Sequence, residues 1–431
     1  MLGGGVFSAQ NKKLPGSYIN FVSASKVAAT IGERGVAALA MELDWGKDNE
    51  IITISQSDFN KKSLEILGYD YESEKLKGLR DVFLNIKTLY LYKLNSGAKA
   101  ECTYATAKYT GIRGNDIKIV IQTNVDSEEK FDVSTLVGTK EVDKQTVTTA
   151  SELQDNDFVT FKKEAELTTT ASTPLTGGTN AESVTGENHQ EFLDKLETYS
   201  FNALACNTND GEIKTLYKNY TKRLRDEMGI KFQTIIFDDT SDYEGIVNIM
   251  NETKEDTIGL IYWVTGIVAG CAINKSNTNR IYDGEYTVIA NQTQTELEES
   301  IDAGKLVLHK VGDEVRVLKD INSLTTITNE KGEDFKSNQT IRVLDQSATD
   351  IAKVFNNNYI GKIPNNKSGR VSLWNEIVSL FKQYEVIQAI EDFNSEEVTI
   401  EQGNDKTSVV VNSGIQPVNA MEKLYMTVVV N

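Results

Sequence analysis

Short apolar runs alternate with longer amphipathic runs between residues 203 and 264, and this alternation restricts the fold more than any other feature of the sequence. Apolar runs of this length predict strands, and amphipathic runs with helical spacing predict helices. Strands that alternate with helices form a parallel sheet whose two faces are covered by the helices. We therefore predict an α/β core with strands and helices in turn at Ala203–Cys206, Ile213–Met228, Phe232–Phe237, Tyr243–Glu252 and Ile258–Val264.

Residues 98–179 differ from this core because they are rich in threonine and contain several short alternating runs. Three of these runs, Asp116–Thr123, Phe131–Val137 and Phe158–Lys162, predict strands of a small all-β domain. A stretch with glycine and proline at 173–182 then predicts a linker. The sequence thus predicts a β-domain inserted ahead of the α/β core.

Further strands are predicted after the core. The runs Lys305–His309 and Val315–Leu318 flank a Gly-Asp pair and predict a hairpin. Two amphipathic helices are predicted next, one after Ser347 and one over Leu373–Ile390. Three further strands are predicted near the C-terminus, at Thr407–Asn412, Ile415–Asn419 and Leu424–Val430.

A chain of 431 residues exceeds the roughly 250 to 300 residues at which a single core stops growing, so several domains are expected. Glycines and a proline interrupt the first 25 residues, which predicts an extended arm there. We expect an N-terminal extended arm at 1–25, an α/β part of the core at 26–97, the inserted β-domain at 98–180, an α/β domain at 181–335 and a C-terminal α/β domain at 336–431.

The charge balance argues against two classes of partner. Acidic residues outnumber basic residues by 63 to 45, and the net charge of −18 has the wrong sign for binding nucleic acid or an anionic membrane surface. The longest apolar stretches, such as Ile258–Cys271, fall short of the ~20 residues of a membrane span. We also expect no secretion signal, because the N-terminal residues lack its apolar segment.

Motifs that carry chemistry are missing from the sequence. The phosphate-binding, dinucleotide-binding and nucleophile-elbow signatures do not occur. Neither His189 nor His309 has metal-ligand spacing, and the three cysteines lie far apart, which predicts reduced thiols. We therefore predict no catalytic, cofactor-binding or metal-binding residues and no cofactor.

One pair of acidic residues argues against the prediction that the chain has no catalytic or metal-binding residues. Asp238 and Asp239 directly follow the predicted strand Phe232–Phe237, and active sites of open α/β sheets form at the carboxyl ends of strands. Two carboxylates there would serve as acid and base or bind a cation. Asp also caps the N-terminus of helices, such as the helix predicted next, and no other residue converges on this pair.

Several segments taken in order resemble the tail sheath family of contractile phages and phage-tail-like bacteriocins, particularly the shorter sheaths of Gram-positive prophages. The similar segments are LPGSYINF at 14–21, YTGIRGNDIKIVI at 109–121, LTGGTN at 175–180, WVTGIVAGCAINKSNT at 263–278, the run at 299–326, the run at 342–370 and IQPVNAMEKLYMTVVV at 415–430. Together they extend over nearly the entire chain.

The resemblance implies a multi-domain tail-sheath fold: a subtilisin-like α/β core without a catalytic triad, a small inserted β-domain and extended terminal strand arms. It also implies that copies of the chain stack as hexameric rings around an inner tail tube and contract to drive that tube through a bacterial envelope. The expected partners are further copies of the chain, a tail tube protein, and baseplate and tail terminator proteins. Assembly is expected in the cytoplasm of the host bacterium, as part of a virion tail or a phage-tail-like particle.

In that family the terminal arms add strands to sheets of neighbouring subunits, and the residues of both termini suit this role. The run Leu424–Val430 has apolar side chains on both faces and neither charge nor proline, the features that protect exposed edges. A central strand of the chain's own C-terminal sheet is the alternative. The residues predicted for exchange are Tyr18, Ile19, Phe21, Val22, Leu424, Met426, Val428 and Val430, with hinges at Gly16 and Gly414.

Three functions are thus compared: a contractile sheath subunit, an α/β hydrolase-like enzyme using Asp238 and Asp239, and a non-contractile capsid or surface protein. The lack of catalytic motifs favours a structural protein over an enzyme. The two β-prone termini favour polymerisation, because strand addition supplies main-chain hydrogen bonds between copies.

Overall fold

The computed structural model describes residues 31–430 and, before them, only two short strands that pair in parallel, β1 (Gly3–Gly5) and β2 (Gly16–Tyr18). The first part of the α/β core follows. It contains β3 (Val36–Met41), β4 (Ile51–Ser55), α1 (Gln56–Leu67), α2 (Lys77–Phe83) and β5 (Thr88–Lys93).

The next region is all-β, as predicted, and forms two small antiparallel sheets around one core. Its strands are β6 (Ala105–Ala107), β7 (Ile117–Thr123), β8 (Phe131–Val137), β9 (Lys140–Val147), β10 (Val159–Phe161) and β11 (Thr170–Pro174). The larger sheet has the order β11-β7-β8-β9, and β10 pairs with β6. Alternate residues of β7, Ile117, Ile119 and Ile121, are buried between the sheets. The period of two that predicted β7 therefore reflects burial on one face only.

The α/β core then continues after the β-domain. Its elements are α3 (Gly186–Leu196), β12 (Ala203–Ala205), α4 (Gly211–Lys222), β13 (Gln233–Phe237), β14 (Ile246–Ile249), α5 (Leu260–Gly270), α6 (Gln294–Asp302), β15 (Lys305–Leu306), β16 (Leu308–Val311) and β17 (Glu314–Val317). Strands β16 and β17 form the predicted hairpin.

The C-terminal region packs two long helices against two small strand pairs. Its elements are α7 (Asn338–Asn358), α8 (Lys367–Val386), β18 (Ile390–Glu391), β19 (Thr399–Gln402), β20 (Val409–Asn412) and β21 (Gln416–Pro417). Strand β18 pairs with β21, and β19 pairs with β20, both antiparallel.

Both parts of the core contribute to one seven-stranded sheet in the order β15-β14-β13-β12-β3-β5-β4. All neighbouring strands are parallel except β4, which runs antiparallel to β5 at the edge. Leu39 and Ile235 pack with α2 and α5 on one face, and Leu204 and Ile236 pack with α3 and α4 on the other. The predicted parallel sheet with helices on both faces is confirmed.

Two elements of this core were predicted with the wrong secondary structure. The predicted helix Tyr243–Glu252 contains strand β14, and the predicted strand Ile258–Val264 lies largely in helix α5. All four residues of β14 and ten of the eleven residues of α5 are buried. Because periodicity arises from one-sided burial, an element buried on every side carries no period that separates helix from strand.

The β-domain joins the core through two closely apposed backbones. A side chain at Gly97 would lie 1.8 Å from the carbonyl oxygen of Thr179, so the entering and leaving chains touch only because residue 97 is glycine. Asn180 also donates to the carboxylate of Asp44 in the core at 2.8 Å. These contacts fix the base of the inserted domain.

Two buried ion pairs join α7 to the core. Arg342 donates to Asp320 at 2.6 Å, and both side chains are 1% exposed. Arg225 donates to the two carboxylate oxygens of Asp345 at 2.6 and 2.9 Å. Removing one partner of such a pair costs about 3–5 kcal/mol, so these contacts hold the C-terminal helices against the sheet.

Candidate assembly interface

The C-terminal tail (residues 413–430) begins with main-chain contacts to the body of the chain. Strand β21 pairs with β18, and the N–H of Val418 donates to the carbonyl of Ala389 at 3.0 Å. The N–H of Ala420 donates to the side-chain oxygen of Gln339 at 3.0 Å. The first half of the tail is therefore held in place.

Glu422 is the last residue of the tail with a polar contact among the described residues. Its carboxylate accepts a hydrogen bond from the hydroxyl of Thr278 at 2.9 Å and lies 3.7 Å from the ammonium group of Lys319. These two partners come from the α/β core, so Glu422 links the tail to a different part of the chain than β21 does.

The terminal segment (residues 424–430) extends from this base into solvent. It pairs with no strand in the described part of the chain. The exposed fractions of its side chains are 86% for Leu424, 75% for Met426, 69% for Val428 and 90% for Val430. In the single chain the segment is thus neither a central strand nor a covered edge, although its composition is that of a buried strand.

A second exposed β-structure lies near the tail. The hairpin of β19 and β20 has no third strand among the described residues, and Val410 and Val411 on β20 are 48% and 37% exposed. Its base is fixed to helix α8, where the indole of Trp374 donates to the carbonyl of Val398 at 2.8 Å. Both outer edges of this hairpin therefore carry unpaired main-chain groups on a rigid support.

The N-terminal residues predicted for exchange lie mostly outside the described residues. This holds for Ile19, Phe21 and Val22. Tyr18 ends strand β2, and the predicted hinge Gly16 begins it, paired with Gly3. The other predicted hinge, Gly414, lies between β20 and β21 and therefore precedes the anchored part of the tail.

The acid pair does not form a shared site. Asp238 contacts the ammonium group of Lys305 at 3.1 Å, and Asp239 contacts that of Lys218 at 3.0 Å. Burial raises the pKa of Asp239, but hydrogen bonds from Ser241 and Lys218 outweigh it and hold this pKa below its usual value. Each carboxylate thus has its own lysine, and the chain continues into β14 rather than into the helix that an Asp would cap.

The remaining candidates have structural surroundings. His189 is buried and its Nδ1 lies 3.0 Å from the hydroxyl of Tyr217, and burial lowers its pKa to about 4. Cys206 and Cys271 are buried thiols, and Cys102 is half-buried. No cluster of three or more metal-ligating side chains occurs within residues 31–430. None of the helices described has the length and apolar content to cross a bilayer.

Comparison with known families accounts for the chain in four consecutive parts. The matching families are the tail sheath protein Gp18 domain III N-terminal region at 34–94, the phage tail sheath β-sandwich domain at 95–180, the central domain at 182–323 and the C-terminal domain at 330–431. The phage-like element PBSX protein XkdK of Bacillus subtilis is 32% identical, with all of both chains aligned. The chain belongs to the phage tail sheath family.

Solved structures agree with this assignment. The sheath tail protein of Desulfitobacterium hafniense is 34% identical to this sheath protein, with a TM-score of 0.83 over 95% of this chain and 99% of that one. The sheath of the anti-feeding prophage in its contracted state shares the fold at 13% identity, with a TM-score of 0.57 over 97% of this chain and 99% of that one. The sheath protein is therefore a structural component of a phage tail or phage-tail-like particle and not an enzyme.

Sequence reasoning missed the residues that hold the tail. Gln339 lies 81 positions from Ala420, and Thr278 lies 144 positions from Glu422. Polar side chains of this kind carry no local pattern, because their partners are set by the tertiary fold. The adjacent charges of Glu422 and Lys423, directly before the uncharged terminal run, were the one available signal.

Proposed function

We propose that this sheath protein polymerises by strand exchange, with the terminal segment of one copy completing a sheet of a neighbouring copy. The observation that carries the proposal is an apolar extended segment, 69–90% exposed at Leu424, Met426, Val428 and Val430, on a base fixed as far as Glu422. Burying one such side chain stabilises an assembly by about 1.5–3 kcal/mol. A segment of this kind in a single chain requires a partner.

The β19–β20 hairpin is the acceptor in this proposal. Its outer edges offer unpaired main-chain groups, and its exposed valines offer apolar surface to an added strand. An isolated two-stranded hairpin is marginally stable, so a third or fourth strand would also strengthen the acceptor. The N-terminal residues Tyr18, Ile19, Phe21 and Val22 are proposed as a second donor.

The higher assembly follows from the family. We expect hexameric rings that stack as a helical sheath around a tail tube protein, bounded by baseplate and terminator proteins and assembled in the host cytoplasm. The contracted helical sheath of the anti-feeding prophage supports such a polymer. The subtilisin-like topology of the core and the division into arm, core, β-domain and C-terminal domain belong to the same proposal.

Contraction requires subunits that move without separating. Gly16 and Gly414 were proposed as hinges, and the contacts of the tail add Lys423, which follows the last anchored residue. Rotation at Gly16 and Lys423 would let the exchanged strands stay paired while the bodies repack, and rotation at Gly414 would in addition require the contacts of β21, Ala420 and Glu422 to open. The extended sheath is then a metastable state, and scanning calorimetry should record heat release on contraction. A contraction without heat release would contradict this part of the proposal.

Electron microscopy of purified protein tests strand exchange. We expect the full chain to form hollow tubes in negative stain, and a chain truncated after Lys423 to remain dispersed and folded, since it keeps the Glu422 contacts and loses only the terminal segment. Tubes formed by the truncated chain would show that this segment is not the link. Circular dichroism of both chains controls for folding.

A further inference from the structure

A cavity of about 430 Å³ lies between the start of β3, the loop that precedes β13 and helix α7. It is lined by none of residues 424–430, so it is separate from the interface proposed above. Its charged lining residues are the basic Arg34, Lys231, Arg342 and Lys353 and the acidic Glu33 and Asp345. Basic residues thus predominate here, in a chain whose net charge is −18.

Both acids of this lining are already paired with other cations. The carboxylate of Glu33 lies 2.7 Å from the ammonium group of Lys87 at the surface. Asp345 accepts hydrogen bonds from Arg225 on both of its oxygens. Arg342 is paired with Asp320, which does not line the cavity, so Arg34, Lys231 and Lys353 are the lining cations without an ion-pair partner among the described residues.

Arg342 has buried hydrogen-bond donors without an acceptor among the described residues. Its Nη2 donates to Asp320 and to the carbonyl of Lys275, but its Nε and Nη1 have no hydrogen-bond partner within residues 31–430 although the residue is 1% exposed. A buried donor left unpaired costs about 1–3 kcal/mol. Two such donors on one guanidinium group leave Arg342 with hydrogen-bonding capacity for a further acceptor.

Arg34 adds a second cation without a carboxylate partner among the described residues. It donates to the carbonyls of Cys271 and Val268 at 2.9 and 3.1 Å, at the C-terminal end of α5. Burial and then the like charge of Arg342 lower the pKa of Arg34 to about 10, so the group stays charged at neutral pH. An anion between these two arginines would relieve their mutual repulsion.

We propose that this cavity binds a small oxyanion, a phosphate or a carboxylate, held by Arg342, Arg34 and Lys353. Guanidinium groups form short charge-assisted hydrogen bonds to either group. Water occupies about 30 Å³ per molecule, so the volume admits an oxyanion together with several waters. The oxyanion is either free in solution or the side chain of an Asp or Glu of a neighbouring copy.

Calorimetric titration with inorganic phosphate, at constant ionic strength set by chloride, tests the site. We expect saturable binding to the full chain before it assembles into tubes, and about tenfold weaker binding to Lys353→Gln, because one charge-assisted hydrogen bond is lost. Lys362→Gln is the matched control, since Lys362 lies in the same region and does not line the cavity. Arg342→Lys keeps a cation beside Asp320, and we expect it to weaken binding while circular dichroism shows a folded chain.

Comparing phosphate binding by the dispersed chain and by tubes distinguishes the two sources of the oxyanion. A free anion predicts phosphate binding to both, whereas a neighbouring side chain predicts binding to the dispersed chain only. No binding to either, or equal binding to Lys353→Gln and wild type, would overturn the proposal and leave a water-filled cavity. The result does not depend on strand exchange, because the dispersed chain can be titrated whether or not its terminal segment is the link.

Discussion

Strand β13 and the terminal segment have similar sequences but opposite surroundings. Both are short, uncharged and rich in β-branched residues. Every residue of β13 is buried between β12 and β14, whereas the side chains of the terminal segment face solvent. Apolar alternation therefore predicts that a strand will be covered, but it does not tell which chain covers it.

The difference in burial arises from the contacts that hold each segment in place and not from the sequences of the two segments. Two parallel neighbours, β12 and β14, and helices on both sides of the sheet place β13 where both edges and both faces are used. The contacts of Ala420 and Glu422 instead direct residues 424–430 away from the body.

A charge in the terminal segment should abolish assembly without unfolding the chain. We expect Val428→Lys to prevent tube formation, because a lysine on a strand disfavours its burial between copies. Val125→Lys, at a valine that is 95% exposed in the β-domain, is the matched control and should form tubes normally. Sedimentation and negative-stain microscopy measure both. Tubes of normal abundance from Val428→Lys would contradict an intermolecular role.

Shortening one side chain in β13 and one in the terminal segment should show how much each region contributes to the free energy of unfolding. We expect Ile236→Ala, at a fully buried position, to lower the free energy of unfolding by about 2–5 kcal/mol through lost burial and a cavity. Val428→Ala should change it by less than about 0.5 kcal/mol in the dispersed chain. Urea unfolding of both variants gives the comparison. Equal losses would mean that the terminal segment packs on its own chain.

Acid should lower the free energy of unfolding more through protonation of the buried His189 than through protonation of the partly exposed His309. Burial lowers the pKa of His189 to about 4, below its ordinary value of 6.5, so the unfolded chain binds more protons between these pH values. Its contribution is therefore present above pH 6.5 and is lost as the pH falls towards 4, by up to about 3 kcal/mol. Urea unfolding at pH 7 and pH 5 should show a smaller acid loss for His189→Asn.

His309→Asn is the control for this titration. Burial also lowers the pKa of His309, but this histidine is on the partly exposed strand β16. We expect its replacement to change the acid loss less than the replacement of His189 does. A larger effect at His309 would contradict the importance of burial at His189.

The acid pair should have the smallest effect. We expect Asp238→Asn with Asp239→Asn to form tubes normally and to lose at most about 1 kcal/mol per ion pair, because both pairs are partly exposed. Asn also tolerates the positive φ of 39° at residue 238. Microscopy and urea unfolding check this. Loss of tubes would give the pair a role in assembly that its contacts do not suggest.

Much of the fold followed from periodicity. The strands β7 and β8 and the hairpin of β16 and β17 were predicted within a few residues, and helix α8 was predicted although it begins six residues earlier than expected, because each is buried on one face and exposed on the other. The candidate interface remains a prediction, made because a terminal run without charge or proline stands out against the rest of the chain.

Other features were decided only by the tertiary structure. Elements β14 and α5 are buried on every side, so their sequences lack the period that distinguishes strand from helix. The partners of Ala420 and Glu422, and the basic cavity around Arg342, join residues far apart in the chain, and no local pattern encodes such contacts. The sequence determined which side chains are apolar enough to require a cover, whereas the packing of the sheet and helices decided which segments are covered within the chain. Hydrophobicity is a property of each residue, but its neighbours are set by the topology.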